Sequence, residues 1–267
     1  MFGGRGGLSP PSGVSVLEPF FSKQPQNRKL RYRSRQPQWG INKGWLSLCM
    51  AFPPLYLLSG LGADERLFQF LRLQHPNPVV VKWVTPAPHA TLAQYAQQVL
   101  PQIQDRSAPA VLIGLSFGGM VAQELAKLIP TQKVILLSSL AHTPQLPWYY
   151  RAGGLLRLQK WLPFQWAKSF PAPGEWLFGA KSPLEKQVFR SIIQDTDLDF
   201  LRWSLTAILG WQHRAEASEQ LVIIHGTRDK ILPVPLAPRV HLVEGGEHLM
   251  VMSRAAEISA LLNQHLR

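Results

Sequence analysis

The chain has 267 residues, of which 46% are hydrophobic and 16% charged, with a formal net charge of +12 and a single cysteine. That length suffices for one well-buried domain with an insertion, and the composition excludes an intrinsically disordered protein. Cys49 alone excludes an intramolecular disulfide and a thiolate metal site, and the lack of disulfides fits a cytoplasmic protein.

The positive charge is uneven. Residues 1–49 carry Arg5, Lys23, Arg28, Lys29, Arg31, Arg33, Arg35 and Lys43 against Glu18, which accounts for +7 of the total. This leader is rich in Gly, Pro, Ser, Gln and Arg and has neither strand nor helix periodicity, so it reads as disordered. It contains no nucleic-acid-binding module, and nucleic acid is not expected as a partner. The apolar run at 45–58 is broken by Pro53 and Pro54 and is shorter than the roughly 20 residues of a spanning helix, so no stable membrane insertion is expected. The leader reads either as a targeting segment or as sequence upstream of a true start at Met50.

From Pro53 onward, short β-rich runs alternate with longer helical ones. Leu55–Ser59 predicts a strand, Glu65–Leu73 a helix and Val79–Val84 a second strand. A helix follows over Leu92–Ile103, then a third strand at Ala110–Gly114. Phe117–Ile129 predicts a helix stopped by Pro130, and Lys133–Ser138 a fourth strand. After an interruption come Leu221–His225 and Val240–Val243 as strands, and a closing helix over Ser253–His265. Strands apolar on both faces and alternating with helices predict an α/β fold: a mostly parallel sheet with helices on both faces. Such sheets place their chemistry at the carboxyl ends of the strands. The interruption at 141–216 reads as an inserted helical cap on a domain spanning 50–267, with helical stretches at Gln187–Gln194 and Leu198–Leu209. It holds Trp148, Trp161, Trp166, Trp176, Trp203 and Trp211 with Tyr149, Tyr150, Phe164 and Phe170. Most of these aromatics are expected to pack the cap onto the body.

GLSFGG, residues 114 to 119, sits between the third strand and the helix after it. Two readings compete: an ordinary glycine-rich connection, or a nucleophilic Ser116 on a sharp strand-to-helix turn. Gly114 and Gly118 lack Cβ atoms and let strand and helix approach, and a serine at a helix N-terminus meets a dipole that favours negative charge. The motif alone is weak; it needs a carboxylate and a histidine at other strand ends. HGTRD places Asp229 just past the fifth strand, while the loop after the fourth strand, SSLAHTPQ, offers no carboxylate. EGGEH places His248 past the last strand. The plainer roles are a turn cap for Asp229 and a bystander loop position for His248. His225 reads as a core histidine, and His75, His89, His142, His213, His241 and His265 belong to no motif. No pair has metal-ligand spacing, so neither a metal nor a cofactor is expected. Asp64 and Glu65 read as N-terminal capping residues.

GLSFGG, HGTRD, GGEH and SGLGADERLF together resemble the α/β-hydrolase superfamily, over Pro53 to the C-terminus. The resemblance implies a Ser116–His248–Asp229 triad and an oxyanion hole made by the backbone N–H groups of Phe117 and of Leu61 in the SGLG loop. Two departures stand out: Ser59 replaces the family's usual histidine, and the family's leading antiparallel strands are missing unless residues 41–52 supply one. The expected function is hydrolysis of an ester or thioester of a small, mainly apolar substrate. Alternatives on the same scaffold are a triad-bearing small-molecule receptor, a C–C bond hydrolase or lyase, and a membrane-surface protein using the basic leader and the aromatic cap. Acyl length and oligomeric state are not encoded in any of these motifs.

Overall fold

In the computed structural model, which describes residues 52–156, 164–213, 220–235, 237 and 239–267, six strands form one parallel sheet. They are β1 (Leu55–Leu58), β2 (Pro78–Val81), β3 (Ala110–Leu115), β4 (Thr131–Leu137), β5 (Leu221–Gly226) and β6 (Val240–Val243), in the order β2-β1-β3-β4-β5-β6. The leader at 1–49 lies outside the described residues.

Side chains alternate strictly across the sheet, as the two-residue period of a strand requires. Tyr56, Leu58, Leu112, Leu136 and Ile223 enter one core, while Leu55, Leu57, Val111, Ile113, Ile135, Leu137, Val222 and Ile224 enter the other. The first core is covered by α1 (Leu92–Val99), α2 (Phe117–Leu125) and part of the insertion; the second by the C-terminal helices, by Leu67 and Phe68 after β1, and by another part of the insertion, Ala180 to Ile192. Each fully buried side chain of this size contributes about 1.5–3 kcal/mol. The strand order reverses between β1 and β3, so the loops leaving these two strands diverge and open a crevice at their carboxyl ends.

The insertion between β4 and β5 contains, among the described residues, α3 (Trp148–Leu155), α4 (Gln165–Ser169), α5 (Ala172–Phe178), α6 (Pro183–Asp195) and α7 (Leu198–Gly210). Ser182 and Glu185 form a capping box at α6, with Pro183 at its first turn, and Asp197 caps α7. After β6 come α8 (Met250–Ser253) and α9 (Ala255–His265). Among the described residues no helix is long and apolar enough to cross a membrane.

Several predicted elements change on folding. Glu65–Leu73 is not an α-helix but a 3-10 helix over Glu65–Phe70, capped by the Asp64 carboxylate accepting from the Arg66 N–H. Six residues repay too little of the nucleation cost of an α-helix, and 3-10 geometry serves such short pieces. The helix from Leu92 leaves α geometry at Leu100, one residue before Pro101, which has no N–H to give. β2 ends at Val81: Lys82 pairs its N–H and C=O with the Gln102 side chain, and Val84 pairs both groups with the Tyr95 hydroxyl. The aromatics of the insertion also depart from expectation. Tyr150, Trp203 and Trp211 pack inward, but Trp148, Tyr149, Trp166, Phe170 and Trp176 are more than half exposed. Trp161 lies outside the described residues.

Candidate active site

β3 passes into α2 with only Ser116 between them, and the serine adopts φ 51° and ψ −116°. A non-glycine residue in such a region costs on the order of 1–3 kcal/mol and persists only when its neighbours hold it. Here they do: the Ser116 N–H donates to the Leu137 carbonyl at 2.8 Å, and the Ser139 hydroxyl donates to the Ser116 carbonyl at 2.6 Å. The bend also demands bare backbone. A Cβ on Gly114 would lie 2.4 Å from the Gly119 Cα, and one on Gly118 would lie 2.3 Å from the Leu58 carbonyl oxygen.

Asp229 and His248 stand on the loops after β5 and β6. The Asp229 side chain is fully buried. Its Oδ1 accepts from the backbone N–H groups of Ile231 and Leu232 at 2.8 and 2.9 Å, and its Oδ2 faces His248 Nδ1 at 2.8 Å. Burial pushes this carboxyl up, but the hydrogen bond and charge of His248, together with the two amides, outweigh burial and hold it below the ordinary aspartate range. The ionised carboxylate can only accept, so Nδ1 carries a proton and Nε2 is left as an acceptor. Nε2 lies 2.9 Å from Ser116 Oγ, whose hydroxyl can donate to it. The three side chains predicted from separate strand ends are therefore in one hydrogen-bonded line.

His225 is fully buried, as a core histidine should be, yet it also abuts this line. Its Nε2 donates to the Leu232 carbonyl at 3.1 Å and lies 3.5 Å from Asp229 Oδ2. Burial pushes its imidazole pKa down against the opposing pull of Asp229 and the Leu232 carbonyl, so it stays neutral near pH 7. The insertion closes over His248, which is 2% exposed, with the Phe178 ring edge-on to the imidazole at 5.5 Å. Two hydrogen bonds to backbone carbonyls tie the two regions: the Leu249 N–H donates to the Phe178 carbonyl at 3.0 Å, and Lys230 Nζ donates to the Trp176 carbonyl at 3.0 Å. Glu247 binds Lys181 Nζ at 2.8 Å and also pairs with Lys230.

The loop after β1, Ser59 to Ala63, lies beside the serine: a Cβ on Gly60 would sit 3.9 Å from Ser116 Cβ. Three of its carbonyls accept hydrogen bonds. The Ser59 hydroxyl donates to Ala63 O at 2.6 Å, Trp83 Nε1 and the Ala63 N–H donate to Gly60 O at 3.2 and 3.0 Å, and Thr196 Oγ1 donates to Gly62 O at 3.0 Å. Leu61 and Trp83 both pack on the first core, and Phe117 is buried within it. Trp83 and Thr196 belong to no motif, and nothing in the sequence singles them out. A cavity of about 320 Å³ opens against this loop, lined by Ser59, Gly62, Trp83, Thr196 and Phe200 among others. A larger one, of about 1070 Å³, lies between α3 and the end of α7. Among the described residues no group of three or more His, Cys, Asp or Glu side chains is arranged to hold a metal ion.

A model of the alpha/beta hydrolase family matches residues 44–261. The chain belongs to this family. No curated protein matches it. Solved structures that resemble this α/β hydrolase include a hydrolase from Pseudomonas aeruginosa PA01, with 20% identity and a TM-score of 0.58 over 81% of this chain and 91% of that one. A thermophilic esterase from Thermogutta terrifontis, with malate bound, is similar at 17% identity and a TM-score of 0.53, over 80% of this chain and 89% of its own. YbtT, a type II thioesterase from the Yersiniabactin NRPS/PKS biosynthetic pathway, is similar at 16% identity and a TM-score of 0.51, over 82% and 94%. At these identities the likeness concerns the fold. Within this α/β hydrolase, Ser59 closes the loop after β1 through its own hydroxyl.

Proposed function

We propose that the protein is a serine hydrolase that cleaves a carboxylic ester or thioester of a small, mainly apolar substrate. The observation that carries this reading is the continuous contact Ser116 Oγ–His248 Nε2–His248 Nδ1–Asp229 Oδ2, at 2.9 and 2.8 Å. Ser116 Oγ attacks the carbonyl carbon while His248 Nε2 takes its proton. Asp229 keeps the imidazole in the tautomer that can accept and stabilises the imidazolium that forms. The carbonyl oxygen becomes an oxyanion, held by the N–H groups of Phe117 and Leu61, each such donor contributing about 3 kcal/mol. The tetrahedral intermediate collapses, and the leaving alcohol or thiol takes the proton back from His248. Water then attacks the acyl-serine, again giving its proton to His248, and a second collapse frees the carboxylic acid and restores Ser116.

The apolar character of the substrate is supported by Leu61, Tyr150, Trp203 and Ile231, partly buried side chains that pack on the first core where the insertion meets the body. The fold shared with esterases and a thioesterase is compatible with either ester. Ser116→Ala is expected to lower kcat on p-nitrophenyl esters and acyl thioesters of graded chain length by roughly 10⁴-fold or more, with an unchanged far-UV spectrum. Wild-type protein should take up a fluorophosphonate at Ser116, located by peptide mass. An Ala variant that keeps full turnover overturns the assignment.

A further inference from the structure

Trp83 is a partly buried side chain just past β2, outside the triad and outside every motif. Its indole N–H donates to the Gly60 carbonyl at 3.2 Å, and the Ala63 N–H donates to the same oxygen at 3.0 Å. Both lone pairs of that carbonyl are thereby engaged. The peptide joining Gly60 to Leu61 is a rigid plane, and in a trans peptide the C=O and the following N–H point in opposite directions. Holding the Gly60 oxygen toward Trp83 and Ala63 therefore turns the Leu61 N–H to the other side. The ring of Trp83 also lies edge-on to the Phe117 ring at 5.3 Å and stacks with Phe200 at 6.2 Å. One side chain thus touches Phe117 and the carbonyl of the peptide whose N–H belongs to Leu61, the two places from which the oxyanion donors are assigned.

We infer that Trp83 is a positioning residue for the oxyanion hole: its indole N–H sets the orientation of the Gly60–Leu61 peptide and so the strength with which the Leu61 N–H meets the developing charge. This rests on the reading of Ser116 as nucleophile and of Leu61 as donor. The indole need not touch substrate. A peptide plane held by the Ala63 turn alone can rock, and a donor that rocks stabilises the transition state less than one already aimed.

The test is Trp83→Phe, which keeps an aromatic ring and removes the N–H. On a p-nitrophenyl ester, kcat should fall about tenfold with KM within about twofold, because the lost interaction is felt in the transition state alone. The inhibition constant of a trifluoromethyl ketone, whose hemiketal oxygen occupies the same donors, should rise by the same factor. A residue that merely packs would move KM or thermal stability and leave the ketone's relative affinity untouched. β-(3-Benzothienyl)alanine at position 83 matches indole in size but has no N–H, and it serves if Trp83→Phe does not fold; the same loss is expected. Unchanged kcat and ketone affinity in either variant overturn the inference, as does a loss confined to KM. The two levels separate cleanly: a fully active Ser116→Ala sinks the parent reading, whereas an inactive Ser116→Ala beside a fully active Trp83→Phe sinks this inference alone.

Discussion

Replacing Asp229 by asparagine changes one atom and reverses one hydrogen bond. The new carboxamide must still face the N–H groups of Ile231 and Leu232, which stand 2.8 and 2.9 Å from Oδ1. Two amide donors there force its oxygen to that side and place its NH₂ against His248 Nδ1, 2.8 Å away. The imidazole then has to accept at Nδ1, so its proton moves to Nε2, the atom 2.9 Å from Ser116 Oγ. A protonated Nε2 cannot take the serine proton. The expected loss in kcat near pH 7 is about 10⁴-fold, or about 5.5 kcal/mol of transition-state stabilisation, at similar KM. Steady-state hydrolysis of a p-nitrophenyl ester measures the loss, and ¹⁵N shifts of His248 report which ring nitrogen is protonated. A variant within tenfold of wild type, or one whose His248 keeps the Nδ1–H tautomer, refutes the assignment of Asp229 as the orienting carboxylate.

Two further substitutions test the surroundings. Gly114→Ala puts a Cβ 2.4 Å from the Gly119 Cα, backbone against backbone, and should cost about 3 kcal/mol or more, seen as a melting midpoint lowered by about 10 °C or as insoluble expression. Glu247→Gln removes the anion shared by Lys181 and Lys230. Burial pushes the Glu247 carboxyl up, but the bonds and charges of the two lysines outweigh it and hold it below its ordinary value. Its contribution is therefore complete above the unfolded carboxyl's pKa of about 4.3 and is lost as pH falls through the lower folded value. Thermal melts should show the variant a few degrees below wild type at pH 7, with the gap closing as the pH falls below the unfolded carboxyl's pKa and on through the lower folded one; a gap that stays constant throughout contradicts the ion-pair account.

Much of the architecture is visible in the chain because the inner strands are apolar at nearly every position, on both faces. AVLIG and LVIIH must be covered on both faces, and only a parallel sheet between helices does that. The spatial meeting of Ser116, Asp229 and His248 follows from the same rule, since all three lie just past strand ends. Other features turn on contacts that local patterning does not encode. The apparent strand from Val79 runs out of ladder partners after Val81, because its next amides are claimed by the Gln102 and Tyr95 side chains. The holding of the Gly60 peptide by Trp83 joins residues 23 apart and has no spacing signature. The aromatics of α3 and α4 read as cap-packing residues because composition counts tryptophans without saying which way they face.

The clasp between α5 and the loops bearing Asp229 and His248 limits how this molecule can be re-engineered. Phe178 and Trp176 lend their carbonyls to Leu249 and Lys230, and Lys181 grips Glu247 one residue before the imidazole. A chimera that exchanges the insertion for a relative's, in the hope of altering selectivity, discards the brace of the loops that hold Asp229 and His248. Such a graft has to keep residues 176–181 together with 230 and 247–249 as one inherited block, and vary the lid only beyond it.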